Sequence, residues 1–204
     1  FAEKNILWIK SQLSKPYETL WQELRGVSVM KIDPRPKTVY SSIQKTRTFH
    51  PPTSDTAFLM SQFSKHIEDA CVKARHYKLV PKKLSIFLKI QSFKYATSTI
   101  SLSAPTSAPE ILISLAQNNF SAIYDSSILY RATGAILHGL ISDSVSQGDL
   151  FGDNELAGKF KIIHRQIDSL ENKFGKRVVY LASTQDALKS KGGLGGKGNK
   201  NNET

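Results

Sequence analysis

An α+β fold, a four-stranded sheet with two helices on one face in the order β-α-β-β-α-β, is predicted by three features of residues 41–145. Leu84, Ile86, Leu88 and Ile90 alternate along KLSIFLKI, the period of a half-buried strand. Leu59, Phe63, Ile67, Ala70, Cys71 and Ala74 recur at the spacing of a single apolar helix stripe. Helix-start signals at Asp55 and again at Ser107–Glu110 separate strand-like segments.

Ahead of this pattern, residues 1–26 read as two short helices. Ile6, Trp8, Ile9 and Leu13 mark the first; Leu20, Trp21 and Leu24 mark the second, with Pro16 near its start and Gly26 placed to end it. The chain begins at Phe1 inside this helical pattern, so a fragment of a longer protein is expected. Residues 27–40 carry Pro34 and Pro36 with Lys31, Arg35 and Lys37, an extended basic linker.

The compact unit then opens with the Thr-rich segment SSIQKTRTF, Ser41 to Phe49, as its first strand. Pro51 and Pro52 break it, and the long helix with the stripe through Cys71 follows. Two strands come next, the second through Ile100 and Leu102. Ser107-Ala108-Pro109-Glu110 reads as a capping box that opens a helix carrying Ile111, Leu112, Leu115 and Ala116. ILYRATGAILHGLI closes the set as a strand in which Gly134 can host a bulge. Residues 146–157 read as a loop, polar from Ser146 to Glu155 except for Leu150 and Phe151, an apolar pair with no evident use in folding. Residues 158–183 read as a helix, Gly175 and a strand, and the Gly-, Lys- and Asn-rich residues 184–204 as a disordered tail.

The chain has 204 residues, 28 Lys and Arg against 17 Asp and Glu, a net charge of +11, and 40% hydrophobic residues. Four of the lysines and two of the acids fall in residues 184–204, so most of the excess belongs to the folded body. Such a body favours a polyanion partner. No apolar run approaches the roughly 20 residues that span a bilayer. One cysteine, Cys71, excludes an internal disulfide and fits a reducing, cytoplasmic setting. His50, His66, His76, His138 and His164 lack metal-ligand spacing, and no acid/base or nucleophile cluster stands out for small-molecule chemistry. The sheet face away from the helices is left with Ser, Thr, Lys and Arg, groups that suit a phosphate backbone or a simply solvated face.

TLWQELRG, the basic linker, SSIQKTRTF, the long helix, LSIFLKIQSF, TISLSAPT and YRATGAIL stand in the order found in Y-family translesion DNA polymerases of the UmuC/DinB kind, which residues 1–183 therefore resemble. The resemblance implies the end of a thumb at 1–26 and a DNA-binding little-finger domain at 41–145. It implies no catalytic residue and no cofactor in this chain: magnesium is expected only in a palm domain that the parent would carry, and Asp33, Asp69, Asp125 and Asp143 match no palm motif. It further implies a monomer that grips primer-template DNA without sequence preference through Ser42, Lys45, Thr46, Arg47 and Thr48, through Thr97, Ser98 and Thr99, and through Arg131. Strict alternation puts Lys45 and Arg47 on the side of Ile43 and Phe49, so a twist or bulge is needed to bring all these residues to one face. Gln147-Gly148-Asp149-Leu150-Phe151 resembles the short motif that holds the bacterial sliding clamp, with Gly148 where an aliphatic residue is usual. An independent nucleic-acid-binding adaptor is the alternative reading of the same features.

Overall fold

The computed structural model describes residues 1–31, 34, 40–144 and 154–190, with side chains from residue 158 in the last stretch. The clamp-like Gln147–Phe151 and most of the linker lie outside the described residues. The chain divides into two compact units, Phe1–Thr38 and Val39–Thr204.

The first unit is two helices, α1 (Ile6–Gln12) and α2 (Lys15–Leu24). Asn5 caps α1 by accepting from the Leu7 amide at 2.8 Å, and the Trp21 indole donates to the Lys4 carbonyl at 2.9 Å. Gly26, at φ +82°, ends α2. Ile9 is fully buried, while Trp8, Leu20 and Leu24 stay exposed, as expected for a pair of helices too small to enclose a core.

The second unit runs β1 (Ser42–Thr53), α3 (Thr56–His76), β2 (Leu79–Val80), β3 (Lys83–Ile90), β4 (Tyr95–Ser101), α4 (Pro109–Asn119), β5 (Tyr130–His138), β6 (Ile141–Ser142), α5 (Asn154–Phe174) and α6 (Gln185–Lys189). The main sheet has the order β1-β5-β3-β4, antiparallel throughout. Each β-α-β unit is therefore split: β5 lies between β1 and β3, and β3 lies between β5 and β4. The predicted α+β fold is the one observed. α3 and α4 cover one sheet face and enclose the core of Leu59, Phe63, Ile67, Cys71, Leu84, Ile86, Leu88, Leu112 and Leu137. Cys71 is fully buried, and burial pushes its thiol up to about 12, so it serves as a small apolar side chain.

Several expectations are corrected. β1 continues four residues past Phe49, to Thr53. β2 and β6 form a separate two-stranded ladder that the sequence pattern did not indicate, each strand being two residues long. Gly134 does not host the bulge. It sits in regular register with Thr46 and Phe87, and the extra residue of β5 is Arg131, between the pairs Lys89↔Ala132 and Ile90↔Tyr130. The capping box does not form, because Ala108 is the N-cap residue and Glu110 instead meets His164 at 2.8 Å. Burial raises the Glu110 carboxyl, but the His164 hydrogen bond and charge, its own backbone amide and the Arg75 charge together hold the group below its usual range.

The strand expected in residues 177–183 is replaced by an unpaired segment pinned to α3. Arg177 pairs with Glu68 at 2.7 Å and Asp69 at 3.0 Å, and the Leu181 amide donates to Glu68. These side-chain partners take the place of a sheet edge. The start of the expected disordered tail forms α6: the Ala187 amide donates to Ser61 Oγ at 2.9 Å, and Arg47 binds the Ala187 and Ser190 carbonyls at its C-terminal end.

Candidate nucleic-acid interface

Directly opposed residues in an antiparallel ladder share a face, so the register defines the uncovered side of the sheet as four rows. These are Ser42–His138–Lys83–Ser101, Gln44–Ile136–Ser85–Thr99, Thr46–Gly134–Phe87–Thr97 and Thr48–Ala132–Lys89–Tyr95. The helix side carries Ile43–Leu137–Leu84–Ile100, Lys45–Ala135–Ile86–Ser98 and Arg47–Thr133–Leu88–Ala96.

Of the residues singled out in the sequence, Ser42, Thr46, Thr48, Thr97 and Thr99 thus come together on the open face. Lys45, Arg47 and Ser98 lie on the opposite side. No bulge intervenes between Ser42 and Thr48, and alternation holds there. Arg47 is further engaged, its guanidinium 2.8 Å from the Ser190 carbonyl and 3.1 Å from Ser190 Oγ.

The positive charge of the open face comes from Arg131, singled out in the sequence, and from two lysines that the sequence reading passed over. Lys83 and Lys89 alternate with the core residues of β3, and that period alone marks them. Arg131, displaced by the bulge, places its guanidinium 4.4 Å from the centre of the Phe93 ring. Lys89 Nζ lies 5.0 Å from the same ring and 4.8 Å from that of Tyr95. Phe93, exposed at the β3–β4 turn, and Tyr95 hold the two cations close together by cation–π attraction. None of the four strands contains an Asp or Glu. The acids of the described unit lie on helices and connecting turns, many of them already matched: Asp69 with Lys65, Asp168 with Arg75, Glu68 with Arg177.

The face is also closely packed. Phe87 lies flat across Gly134, where a Cβ would overlap its ring, and meets Tyr95 edge-on with ring centres 5.4 Å apart. Ser85 Oγ bonds Thr99 Oγ1 at 2.7 Å and His138 Nε2 at 3.0 Å. Hydroxyl donors flanking fixed cations, with no carboxylate between them, make a surface suited to phosphate oxygens. Among the described residues no group of three or more His, Cys, Asp or Glu is placed to hold a metal ion, and no helix is long and apolar enough to cross a membrane.

Comparison with known proteins gives a family match. Residues 40–150, more than half of the chain, match the model of the impB/mucB/samB family C-terminal domain. Among solved structures, a DinB family error-prone DNA polymerase from Sulfolobus solfataricus is 12% identical, with a TM-score of 0.43 over 68% of this chain and 40% of that one. A Y-family DNA polymerase chimera, Dbh-Dpo4(243-245)-Dbh, is 13% identical with a TM-score of 0.41, over 68% and 39% of the two chains. The little finger domain of PolIV, solved in complex with the beta-clamp processivity factor, is 14% identical with a TM-score of 0.39, over 54% of this chain and 98% of that one. Likeness at this level carries no argument. The chain spans about two fifths of the length of the two polymerases.

Proposed function

The chain belongs to the impB/mucB/samB family, whose C-terminal domain it carries, and from this premise we propose that it grips primer-template DNA without sequence preference through the open sheet face and tethers its parent, a translesion DNA polymerase, to the sliding clamp. The observation that carries the DNA reading is an open sheet face with cations and no carboxylate. Lys83, Lys89 and Arg131 stand on strands devoid of carboxylates, among Ser42, Thr46, Thr48, Thr97 and Thr99. Contacts of this kind go to backbone oxygens and ignore base identity, which lets an altered template base pass. Lys45, Arg47 and Ser98 contribute from the other side of the sheet only indirectly, Arg47 by holding α6.

The clamp reading rests on Gln147, Gly148, Asp149, Leu150 and Phe151 and on their place at the very end of the family domain. A Gln amide at a pocket rim with Leu and Phe inserted contributes about 1.5–3 kcal/mol for each apolar side chain, less the cost of ordering the segment. The tether then raises the local concentration of polymerase on DNA far above what the grip alone provides.

Fluorescence anisotropy with a labelled primer-template and unrelated sequences of equal length tests the grip. Similar affinities and a steep loss with added salt are expected, because bound cations release counterions. Affinity insensitive to salt overturns the reading.

A further inference from the structure

The open face of the sheet ends in two uncovered aromatic rings. β3 turns into β4 through Gln91, Ser92 and Phe93, where the Phe93 amide donates to the Ile90 carbonyl and the Ile90 amide donates to the Lys94 carbonyl, each at 3.0 Å. A hairpin loop of this length places its last residue in the left-handed region, which favours Gly. Here that residue is Phe93, at φ +67°, a conformation that bulky side chains rarely adopt. Its ring belongs to no core: Phe93 is 61% exposed and lies outside the apolar cluster. Tyr95 is 58% exposed and lies outside it as well.

The surroundings of the two rings indicate what they meet. The Arg131 guanidinium lies 4.4 Å from the centre of the Phe93 ring, and Lys89 Nζ lies 5.0 Å from that ring and 4.8 Å from that of Tyr95. Lys94 is exposed between them in sequence. Tyr95 belongs to the row Thr48–Ala132–Lys89–Tyr95, the last full row of the open face at this end, so the rings continue the surface that carries the cations. Two rings offer far less than the roughly 800 Å² that each partner contributes to a stable protein interface. They match the size of one or two bases. Exposed aromatic rings beside cations are the combination that holds single-stranded nucleic acid: the cations meet phosphates and the bases stack on the rings. Bases inside a duplex are already stacked on their neighbours and cannot reach such rings.

We propose that Phe93 and Tyr95 stack on unpaired template bases where the single strand leaves the duplex, with Lys89 and Arg131 on the adjoining phosphates, so that the domain prefers a primer-template with a template overhang to a blunt duplex. The inference rests on the sheet-face reading of DNA binding and adds to it recognition of the single strand.

Fluorescence anisotropy of the 204-residue chain on two labelled substrates tests it. Both carry the same duplex; one is blunt and the other has a template overhang of about six nucleotides. The overhang is expected to raise affinity at least about fivefold. An overhang of abasic nucleotides keeps the phosphates and loses most of that gain. Phe93→Leu with Tyr95→Leu loses it too, while affinity for the blunt duplex stays within about twofold because the cations remain. Phe93→Trp retains it. 2-Aminopurine at the first unpaired template position is quenched on binding the unsubstituted chain and not on binding the double variant. The melting temperature of the double variant changes little, because both rings are largely exposed. An equal gain from the abasic overhang, or a gain that survives Phe93→Leu with Tyr95→Leu, overturns the proposal and leaves the sheet-face reading standing. Binding to neither substrate, or binding to both that ignores salt, overturns the two together. No gain from the overhang, with dimerisation in sedimentation that the double variant abolishes, makes the rings a contact between copies and overturns the proposal.

Discussion

Replacing Gly134 with Ala challenges the packing on which the open face depends. The new Cβ would overlap Cζ and Cε1 of Phe87 and come within 3.1 Å of the Lys45 carbonyl oxygen. The backbone there is held by pairing on both sides, with Thr46 and with Phe87, so the ring has to move. Phe87 is only 6% exposed, and the way out is toward solvent, past Tyr95. Displacing a packed ring in this manner costs about 1–3 kcal/mol. Removing the ring first eliminates the clash. Phe87→Ala alone destabilises through lost burial, but Gly134→Ala added to it costs less than about 0.5 kcal/mol, a coupling of about 1–2 kcal/mol in a double-mutant cycle. Urea unfolding followed by circular dichroism, with equal slopes required across the four proteins, measures this. Additive effects of the two substitutions refute the packing argument, and with it the idea that a glycine in β5 exists to seat Phe87 beneath Lys89 and Tyr95.

Three further outcomes follow from other parts of the molecule. Burial holds the His66 imidazole, 3.0 Å from Thr133 Oγ1, down to about 4, so the fold binds the neutral ring while the unfolded chain takes up a proton below about 6.5. Stability is therefore lost as pH falls from about 6.5 to about 4, by up to roughly 1.4 kcal/mol per unit, and thermal melts of His66→Gln show a flatter dependence in that window. Asp168→Asn leaves the largely covered Arg75 without its anion, and lowers stability by about 1–2 kcal/mol while exposing α5 to limited proteolysis. Leu150→Ala with Phe151→Ala removes about 3–6 kcal/mol of gross burial and abolishes clamp binding in isothermal titration without shifting the melting temperature; a lowered melting temperature with intact binding shows instead that the pair packs on its own domain.

The fold was legible in the sequence because its signals were periodic. The stripe from Leu59 to Ala74 is buried as its spacing requires, and Leu84, Ile86 and Leu88 join the core as their alternation requires, although Ser85 and Phe87 between them are buried as well. Chemical type proved a weaker guide to the site than period. Lys45 and Arg47 drew notice as cations in a Thr-rich strand, yet their parity with Ile43 and Phe49 places them beneath the sheet. The same parity rule applied to β3 yields Lys83 and Lys89. Arg131 was found from the resemblance, but its position depends on a bulge that no local signal announces, since the glycine in the strand, Gly134, serves ring packing instead. The segment after Gly175 was misread for a different reason. Val178, Val179 and Tyr180 favour a strand locally, but Glu68 and Asp69, distant in sequence, capture Arg177 and the Leu181 amide.

The central claim is that phosphate is held on the open face and not on the helix side. Salt titrations of primer-template affinity for two double variants decide it. Lys89→Ala with Arg131→Ala removes two open-face cations and should reduce the slope of log affinity against log salt by about one to two units. Lys45→Ala with Arg47→Ala should leave the slope nearly unchanged, although it loosens α6. An unchanged slope in the first variant together with a reduced slope in the second would place the DNA on the opposite side of the sheet and contradict the account.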